Sequence, residues 1–469
     1  MLRRAGFELS ATAEHYGLGL VLGNGEVSLW EAARAYRGLA QGGVVRPLRP
    51  VLQAWRADGT ELPGWPVHTE HLPELDPANA ANHRSSAGWT AIGADVYAPV
   101  TATPAVADLD GDGSLEVVVA SFRGQLHVFG ADGSQRPGFP VSSEPVTLTE
   151  EDDSLADSFF SSPAIGDIDG DGNYEIVGGG GDQQLYAWET DGSYVTGFPV
   201  RLAWPDEVLD RRRIVASPAL GDIDGNGTDD IVIGTNETIT EEHAALYAVD
   251  GTGKVMPGWP IRLYGLFVDV LPMVGQGVPN SAALVDLDGD GLPEVVTHGL
   301  AGDVEIVHGD GTDFFKTKSA LSAYGPASNV SDTTVFPLIN SPSIGDLDGD
   351  GVPDIVNGAA GFDYARGTDD DGQRYDFDHA LAGWSGVDGN FLPGFPRLIE
   401  DLQFFANPAV VDIDGDQRME AITGSGGFVV HAWNADGEQP AGWPKLTGQW
   451  VIASPAVGDI DGDGTIEVV

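Results

Sequence analysis

Seven stretches of this chain pack acidic side chains at one spacing, Asp-x-Asp-Gly-Asp/Asn-Gly-x-x-Glu/Asp. The first set is Asp108, Asp110, Asp112 and Glu116, and the second is Asp167, Asp169, Asp171 and Glu175. The third is Asp222, Asp224, Asn226 and Asp230, and the fourth is Asp286, Asp288, Asp290 and Glu294. The fifth is Asp346, Asp348, Asp350 and Asp354. The sixth is Asp412, Asp414, Asp416 and Glu420, and the seventh is Asp459, Asp461, Asp463 and Glu467. Four oxygen-bearing side chains within nine residues repel one another unless a cation sits among them.

The chemistry this spacing suits is binding of a hard cation. Oxygen ligands at positions 1, 3 and 5, a backbone carbonyl at 7 and a glycine at 6 reproduce the first half of an EF-hand loop. Here the closing acid stands at position 9 instead of 12, which makes the loop short enough to join two strands. Magnesium, with tight octahedral geometry and firmly held waters, suits such a loop less well than calcium. The expected cofactor is therefore Ca2+, up to seven ions. The set at Asp412 is the weakest, because Gln417 replaces the glycine at position 6. One copy could be a plain Asp-Gly-rich turn; seven copies with the same four positions held favour the metal.

Regular strands must position these loops. The string SPAxGDxDGDGxxEVV recurs at steps of 59, 55, 64, 60, 66 and 47 residues. Each unit reads as strand A (SPAIGD-like), the acidic loop, strand B (EVVVA-like) and an alternating strand C (QLYAW-like). An Asp-Gly pair then turns the chain into strand D. The pairs are Asp132-Gly133, Asp191-Gly192, Asp250-Gly251, Asp310-Gly311, Asp388-Gly389 and Asp436-Gly437. Type I′ hairpin turns explain such pairs. A Gly-Phe/Trp-Pro string at Phe139, Phe198, Trp259, Phe395 and Trp443 is expected to end strand D, and the fourth repeat lacks it. Four-stranded antiparallel units repeated about an axis make a β-propeller. A parallel β-helix, the competing repeat fold, has shorter coils and no hairpin per turn.

The ends complement each other. The seventh acidic loop is followed by strand B and nothing more, whereas Val51 to Pro66 (VLQAWRADGTELPGWP) reads as a C–D hairpin without A and B. The expectation is an all-β, seven-bladed propeller over residues 51–469, closed by pairing of the two half-blades, after a short helical segment at 1–50. Closure also removes two open sheet edges. The alternative is that the chain is a cut piece of a longer array.

Composition narrows the partners. The chain has 469 residues, 72 acidic against 23 basic, and a net charge of −49. That excludes general binding to nucleic acid through a basic surface. Gly (65) and Pro (30) are too numerous for a helical protein, and cysteine is absent, which excludes disulfides, thiolate metal sites and thiol catalysis. No run approaches the length of a transmembrane helix. No secretory signal is legible at MLRRAGFELS.

On the strings SPAIGDIDGDGNYEIV (Ser162 to Val177) and its copies, the chain resembles FG-GAP/VCBS repeat proteins, relatives of the integrin α-subunit propeller. The resemblance implies a calcium-bound propeller acting outside the cell, extracellular or periplasmic, in adhesion or in binding a protein or carbohydrate ligand. Some similar propellers are polysaccharide lyases. The string YGLGLVLGNGEVSLWEAARAYRGLAQGG (Tyr16 to Gly43) looks like part of the transpeptidase domain of bifunctional penicillin-binding proteins, type 1C. That likeness implies a fragment of a peptidoglycan glycosyltransferase–transpeptidase. Yet no Ser is followed three residues on by Lys, and no Lys precedes Thr-Gly, so this chain is not expected to acylate.

Other groups carry less. His127 and His431 read as strand residues, and the glycines at 178–181 read as a B–C bend. Long inserts at 142–160, 203–214, 264–280 and 314–339 read as D–A connections and 358–380 as B–C, all opposite the acidic loops. Their aromatics, Phe159, Phe160, Trp204, Tyr264, Phe267, Phe314, Phe315, Tyr324, Tyr364 and Tyr375, are expected to face solvent and a ligand.

Overall fold

The computed structural model describes residues 52–54, 56, 60–72, 97–143, 158–203, 212–237, 245–263, 276–300, 302–316, 321, 335–337, 339–361, 378–401, 403, 406–451, 453–459 and 462–469. The helical segment expected at 1–50 lies outside them. Two compact units divide the chain, residues 1–100 and 101–469. Among the described residues there are strands and no helix.

In the larger unit the repeats become antiparallel meanders. The first sheet runs in chain order through β1 (Ala105–Ala107), β2 (Glu116–Ala120), β3 (Gln125–Phe129) and β4 (Val141–Ser142). β1 opposes β2 with Ala107 across from Glu116, so the acidic loop closes directly on the ladder. The same order recurs in the sheets built on Glu175–Gly179, Asp230–Gly234 and Glu420–Gly424. The fourth sheet has three strands among the described residues, Ala283–Val285, Glu294–His298 and Val304–Val307. It belongs to the repeat without a Gly-aromatic-Pro string. The fifth adds Val335–Pro337 and has longer middle strands, Asp354–Gly361 and Asp378–Trp384. The insert expected at 358–380 thus begins later, because its first and last residues extend the ladder. The last sheet is the pair Val457–Gly458 and Glu467–Val468.

Alternation along each C strand divides its side chains between two neighbouring sheets. In Gln184–Trp188, Leu185 and Ala187 pack with Ile231, Ile233 and Tyr247 of the third sheet. Tyr186 and Trp188 pack with Val118, Leu126 and Val128 of the first. The core is therefore a series of layers between consecutive sheets, each large side chain contributing about 1.5–3 kcal/mol by burial.

The hairpins differ from the expected type. Gly133 has φ +75°, but Asp132 is not left-handed. The Gly133 amide donates to the Gly130 carbonyl at 2.8 Å and the Gly130 amide to the Ser134 carbonyl at 2.9 Å. This is a three-residue turn with a glycine bulge, which needs one positive φ where type I′ needs two. In the third repeat the positive φ falls on Gly253 instead of Gly251, so the turn sits two residues later than the Asp-Gly pair suggests. Asp132 contributes by accepting from the Ser134 amide and hydroxyl.

The Gly-aromatic-Pro strings do not end strand D. Gln135 already bridges Phe129, the string loops out at Gly138–Phe139, and β4 pairs with β3 only afterwards. The loop-out docks on the next sheet: a Cβ on Gly138 would stand 1.8 Å from the Asp191 carbonyl oxygen, and one on Gly258 2.0 Å from that of Asp310. Trp259 Nε1 adds a bond to the Gly309 carbonyl at 2.8 Å. The aromatic string is thus a seam between sheets.

A second seam follows the Ser-Pro-Ala motifs. The Thr103 amide donates to Ser162 Oγ (2.9 Å), Ser162 to Ser217 (3.0 Å), Ser217 to Ser281 (3.1 Å) and Ser281 to Ser341 (3.0 Å). The Ser341 amide then donates to Asn407 Oδ1 (2.8 Å) and the Asn407 amide to Ser454 Oγ (2.9 Å). One repeated bond joins all seven motifs in chain order. Each such bond is worth about 0.5–1.5 kcal/mol net.

The smaller unit contains the expected hairpin. Leu52 and Val67 exchange backbone bonds at 2.9 and 3.0 Å, and the Leu62 amide donates to the Ala54 carbonyl. Its Asp58-Gly59 turn lies outside the described residues.

Candidate metal centres

Each acidic loop leaves strand A, turns through two left-handed positions and returns at position 9 as the first residue of strand B. In the second loop, Asp167 takes the Gly170 amide on Oδ1 (2.7 Å) and the Gly172 amide on Oδ2 (3.0 Å). Asp169 accepts the Asp171 amide and Asp171 accepts the Asn173 amide. The position-6 bond to Oδ2 recurs around Asp108, Asp222, Asp286, Asp346 and Asp412. The position-4 bond to Oδ1 recurs at Asp286, Asp346 and Asp412, whereas Asp108 and Asp222 take the position-5 amide on Oδ1. Backbone N–H groups thus orient the position-1, -3 and -5 side chains in advance.

Position 9 is buried, with Glu116 at 4%, Glu294, Asp354 and Glu420 at 1%, and Glu175 and Asp230 at 0% exposure. One oxygen is tied to the amide of position 2, as in Glu175 Oε2 to Ile168 (2.8 Å) and Glu294 Oε2 to Leu287 (2.8 Å). Glu116, Asp230, Asp354 and Glu420 do the same. The other oxygen of Glu175 and of Asp230 is buried without a hydrogen-bond partner. Such atoms cost roughly 1–3 kcal/mol each unless something binds them.

Positions 1, 3 and 9 converge. Carboxylate oxygens lie within 4.8 Å of one another in Asp108, Asp110 and Glu116; in Asp167, Asp169 and Glu175; and in Asp222, Asp224 and Asp230. Asp286, Asp288 and Glu294 do likewise, as do Asp346, Asp348 and Asp354. The position-5 residues Asp112, Asp171, Asn226, Asp290 and Asp350 accept the position-7 amides on their Oδ1 atoms. In these five loops, then, positions 1, 3 and 9 bring carboxylate oxygens together, and position 5 also closes the loop through its bond to position 7. In the sixth loop Gln417 has φ +73°, matching Gly113 at +86° in the first. The turn is kept at a strain of roughly 1–2 kcal/mol rather than rearranged. In the seventh, Asp459 holds the Gly462 and Gly464 amides, Asp463 the Thr465 amide, and Glu467 is half-buried. Asp461 lies outside the described residues.

Burial, helped by neighbouring Asp carboxylates, pushes Glu175, Asp230, Asp354 and Glu420 up to about 7, and raises Glu294. Without metal, the folded protein holds protons here that the unfolded chain releases near pH 4. Stability of the metal-free protein should therefore fall as pH rises from about 4 to about 7 and level off above. With metal, each bound ion must expel such a proton. Calcium titrations at pH 7.5, 6.5 and 5.5 should show affinity dropping by up to about tenfold per pH unit for each proton displaced. Affinity independent of pH over this range would contradict the burial of these groups.

The expected solvent-facing aromatics are corrected where they are described. Phe159 is 1% exposed and meets Tyr186 and Trp188 edge-on. Phe160 packs edge-on with Phe122. Phe314 and Phe315 are half-buried against the layer between the fourth and fifth sheets. An aromatic flanking strand A or C gains more from an inter-sheet layer than from water. Trp204, Tyr264, Phe267, Tyr324, Tyr364 and Tyr375 lie outside the described residues. His127 and His431 are buried strand residues, stacked on Phe129 and Trp433.

The FG-GAP-like repeat model matches residues 108–178, 286–356 and 412–469, so each match opens on an acidic loop. Among solved structures, the chain is similar to the biofilm matrix protein Bap1 of V. cholerae, with 15% identity, 80% of this chain and 74% of that one covered, and a TM-score of 0.47. It is similar to BamB from Moraxella catarrhalis, at 15% identity, 80% and 86% coverage and a TM-score of 0.45. The Dos1 propeller matches at 11% identity, 86% and 79% coverage and a TM-score of 0.47. FG-GAP-like repeats on a series of antiparallel sheets, four of them four-stranded among the described residues, support a β-propeller fold. The matches begin at residue 108, and the transpeptidase likeness of residues 1–50 gains no support from them.

Proposed function

We propose that this chain is a calcium-stabilised, seven-bladed propeller serving as a non-catalytic binding or adhesion module at the cell envelope. The observation carrying the calcium reading is the buried position-9 carboxylate. In Glu175 and Asp230 one oxygen lacks any hydrogen-bond partner while two aspartates converge on the same point. A hard cation answers both the orphaned oxygen and the repulsion. Positions 1, 3 and 9 would hold it, and when bound it supplies charge neutralisation between strands A and B.

The envelope location rests on the affinity class that such loops belong to. Extracellular calcium modules bind at about 10⁻⁴ to 10⁻³ M, which suits millimolar calcium and not a low-calcium cytosol. Seven blades are supported by the seven serine-linked motifs and by the complementary halves, a two-stranded last sheet and the hairpin at Leu52–Val67. A rigid, acidic, repetitive scaffold suits display of a surface to a protein or carbohydrate better than chemistry.

The test is retention of purified protein on isolated cell-wall glycan and on cell surfaces, each with 1 mM-scale calcium and with chelator. Saturable binding to one of them, at least tenfold weaker in chelator, is expected. Absence of binding to both, or binding indifferent to chelator, would remove the adhesion reading.

A further inference from the structure

The loops share one backbone but not one interior. In the first, Arg136 enters: its Nη1 lies 3.0 Å from Asp110 Oδ2 and 3.2 Å from Glu116 Oε2. One nitrogen thus bridges the position-3 and position-9 carboxylates, two of the three groups that converge there. The Arg136 side chain is 19% exposed and Glu116 5%, so the arm to Glu116 is shielded, while Asp110, at 39%, reaches solvent. Arg136 comes from strand D, where its amide donates to the Val128 carbonyl.

The same backbone bond identifies the equivalent residue in the other repeats. Val195 donates to Ala187, Met256 to Ala248, Phe314 to Ile306, Leu392 to Gly383 and, in the hairpin, Leu62 to Ala54. All are apolar, and Val195, Met256 and Leu392 are buried. The loops above Val195 and Met256 are those with the orphaned oxygens of Glu175 and Asp230. In the second and third repeats, with Val195 and Met256 on strand D, one oxygen of the position-9 acid lacks a partner. In the fourth, Glu294 Oε1 meets His308 Nδ1 at 3.1 Å, and in the fifth, Asp354 Oδ1 accepts the Gly386 amide at 3.4 Å. Only in the first does a guanidinium, that of Arg136, bridge two of the converging carboxylates among the described residues.

We propose that the first loop is filled by its own chain, with Arg136 as a tethered resident cation, and that its affinity for divalent ions is far below that of the second and third loops. This rests on the calcium reading above. A tethered guanidinium is present at fixed local concentration, and a divalent ion entering the loop must displace it and leave its charge without a partner. The consequence is that the blade carrying this loop stays cross-linked at low calcium while its neighbours loosen.

The experiment is calcium stoichiometry by equilibrium dialysis on the full chain, wild type against Arg136→Met. Met is the natural occupant in the third repeat, so the fold has a precedent for it. The variant is expected to bind one more ion than wild type, and adding Glu116→Gln to it should remove that ion. In chelator, Arg136→Met should melt below wild type and regain the difference on adding calcium. Equal stoichiometry in wild type and variant, with one ion lost on Glu116→Gln in the wild-type background, would overturn the proposal while leaving the calcium reading intact. Wild type without bound calcium in any loop would overturn both.

Discussion

Exhaustive chelation of calcium is expected to lower the melting temperature by on the order of 10 °C or more. At ~1 mM free calcium and a dissociation constant near 10⁻⁴ M, each filled loop adds about 1.4 kcal/mol. Several loops together approach the whole stability of an ordinary domain, ~5–15 kcal/mol. The effect should divide by loop: Glu175→Gln and Asp230→Asn should each remove about one such increment in calcium and little in chelator. Buried Glu175 and Asp230 offer the cleanest reading, because each has an oxygen with no other partner. Superimposable melting curves with and without chelator would reduce the loops to turns.

The seams are the second place where a small change should have a large effect. Gly258→Val would place a Cβ 2.0 Å from the Asp310 carbonyl oxygen, at φ +90°. Neither contact is with a flexible side-chain tip, so the two sheets must part or the backbone must shift. A loss of about 3 kcal/mol or more is expected, against about 0.5 kcal/mol or less for exposed Val387→Ala. Equilibrium denaturation measures both. Deleting residues 51–66 tests the proposal that the two chain ends pair. If the hairpin completes the last blade, its loss leaves the pair Val457–Gly458 and Glu467–Val468 as an open edge, and aggregation or loss of cooperative unfolding follows. A monomer of unchanged stability would show that the ends do not pair.

Much of the fold is legible because it is local. Strand C reads correctly from QLYAW, since alternation is a property of five consecutive residues, and strand B reads from EIVGG for the same reason. The fourth sheet, with three strands among the described residues, belongs to the repeat without a Gly-aromatic-Pro string. The turn type was misread because Asp-Gly serves both the two-residue turn and the bulged three-residue turn, and only the bond from Gly133 back to Gly130 separates them. The Ser-Pro-Ala serines are visible as a repeated string, but the string alone does not say that each of these hydroxyls accepts from the backbone amide of the preceding motif.

At the candidate site, the spacing of the acids already says which side chains belong together. Nine residues with glycines at the two left-handed positions leave the backbone few conformations, so the spacing groups positions 1, 3, 5 and 9, and the convergence of 1, 3 and 9 is seen in the fold. The depth at which position 9 is buried, the orphaned oxygens of Glu175 and Asp230, and the entry of Arg136 into the first loop were decided only by the tertiary structure. The same holds for Phe159, which reads as a loop aromatic and packs against Trp188. The physical reason is distance along the chain. Arg136 meets Glu116 only after two strands have folded back, and Phe159 meets Trp188 across a whole blade. Such contacts are set by how sheets stack, which no window of a single repeat contains.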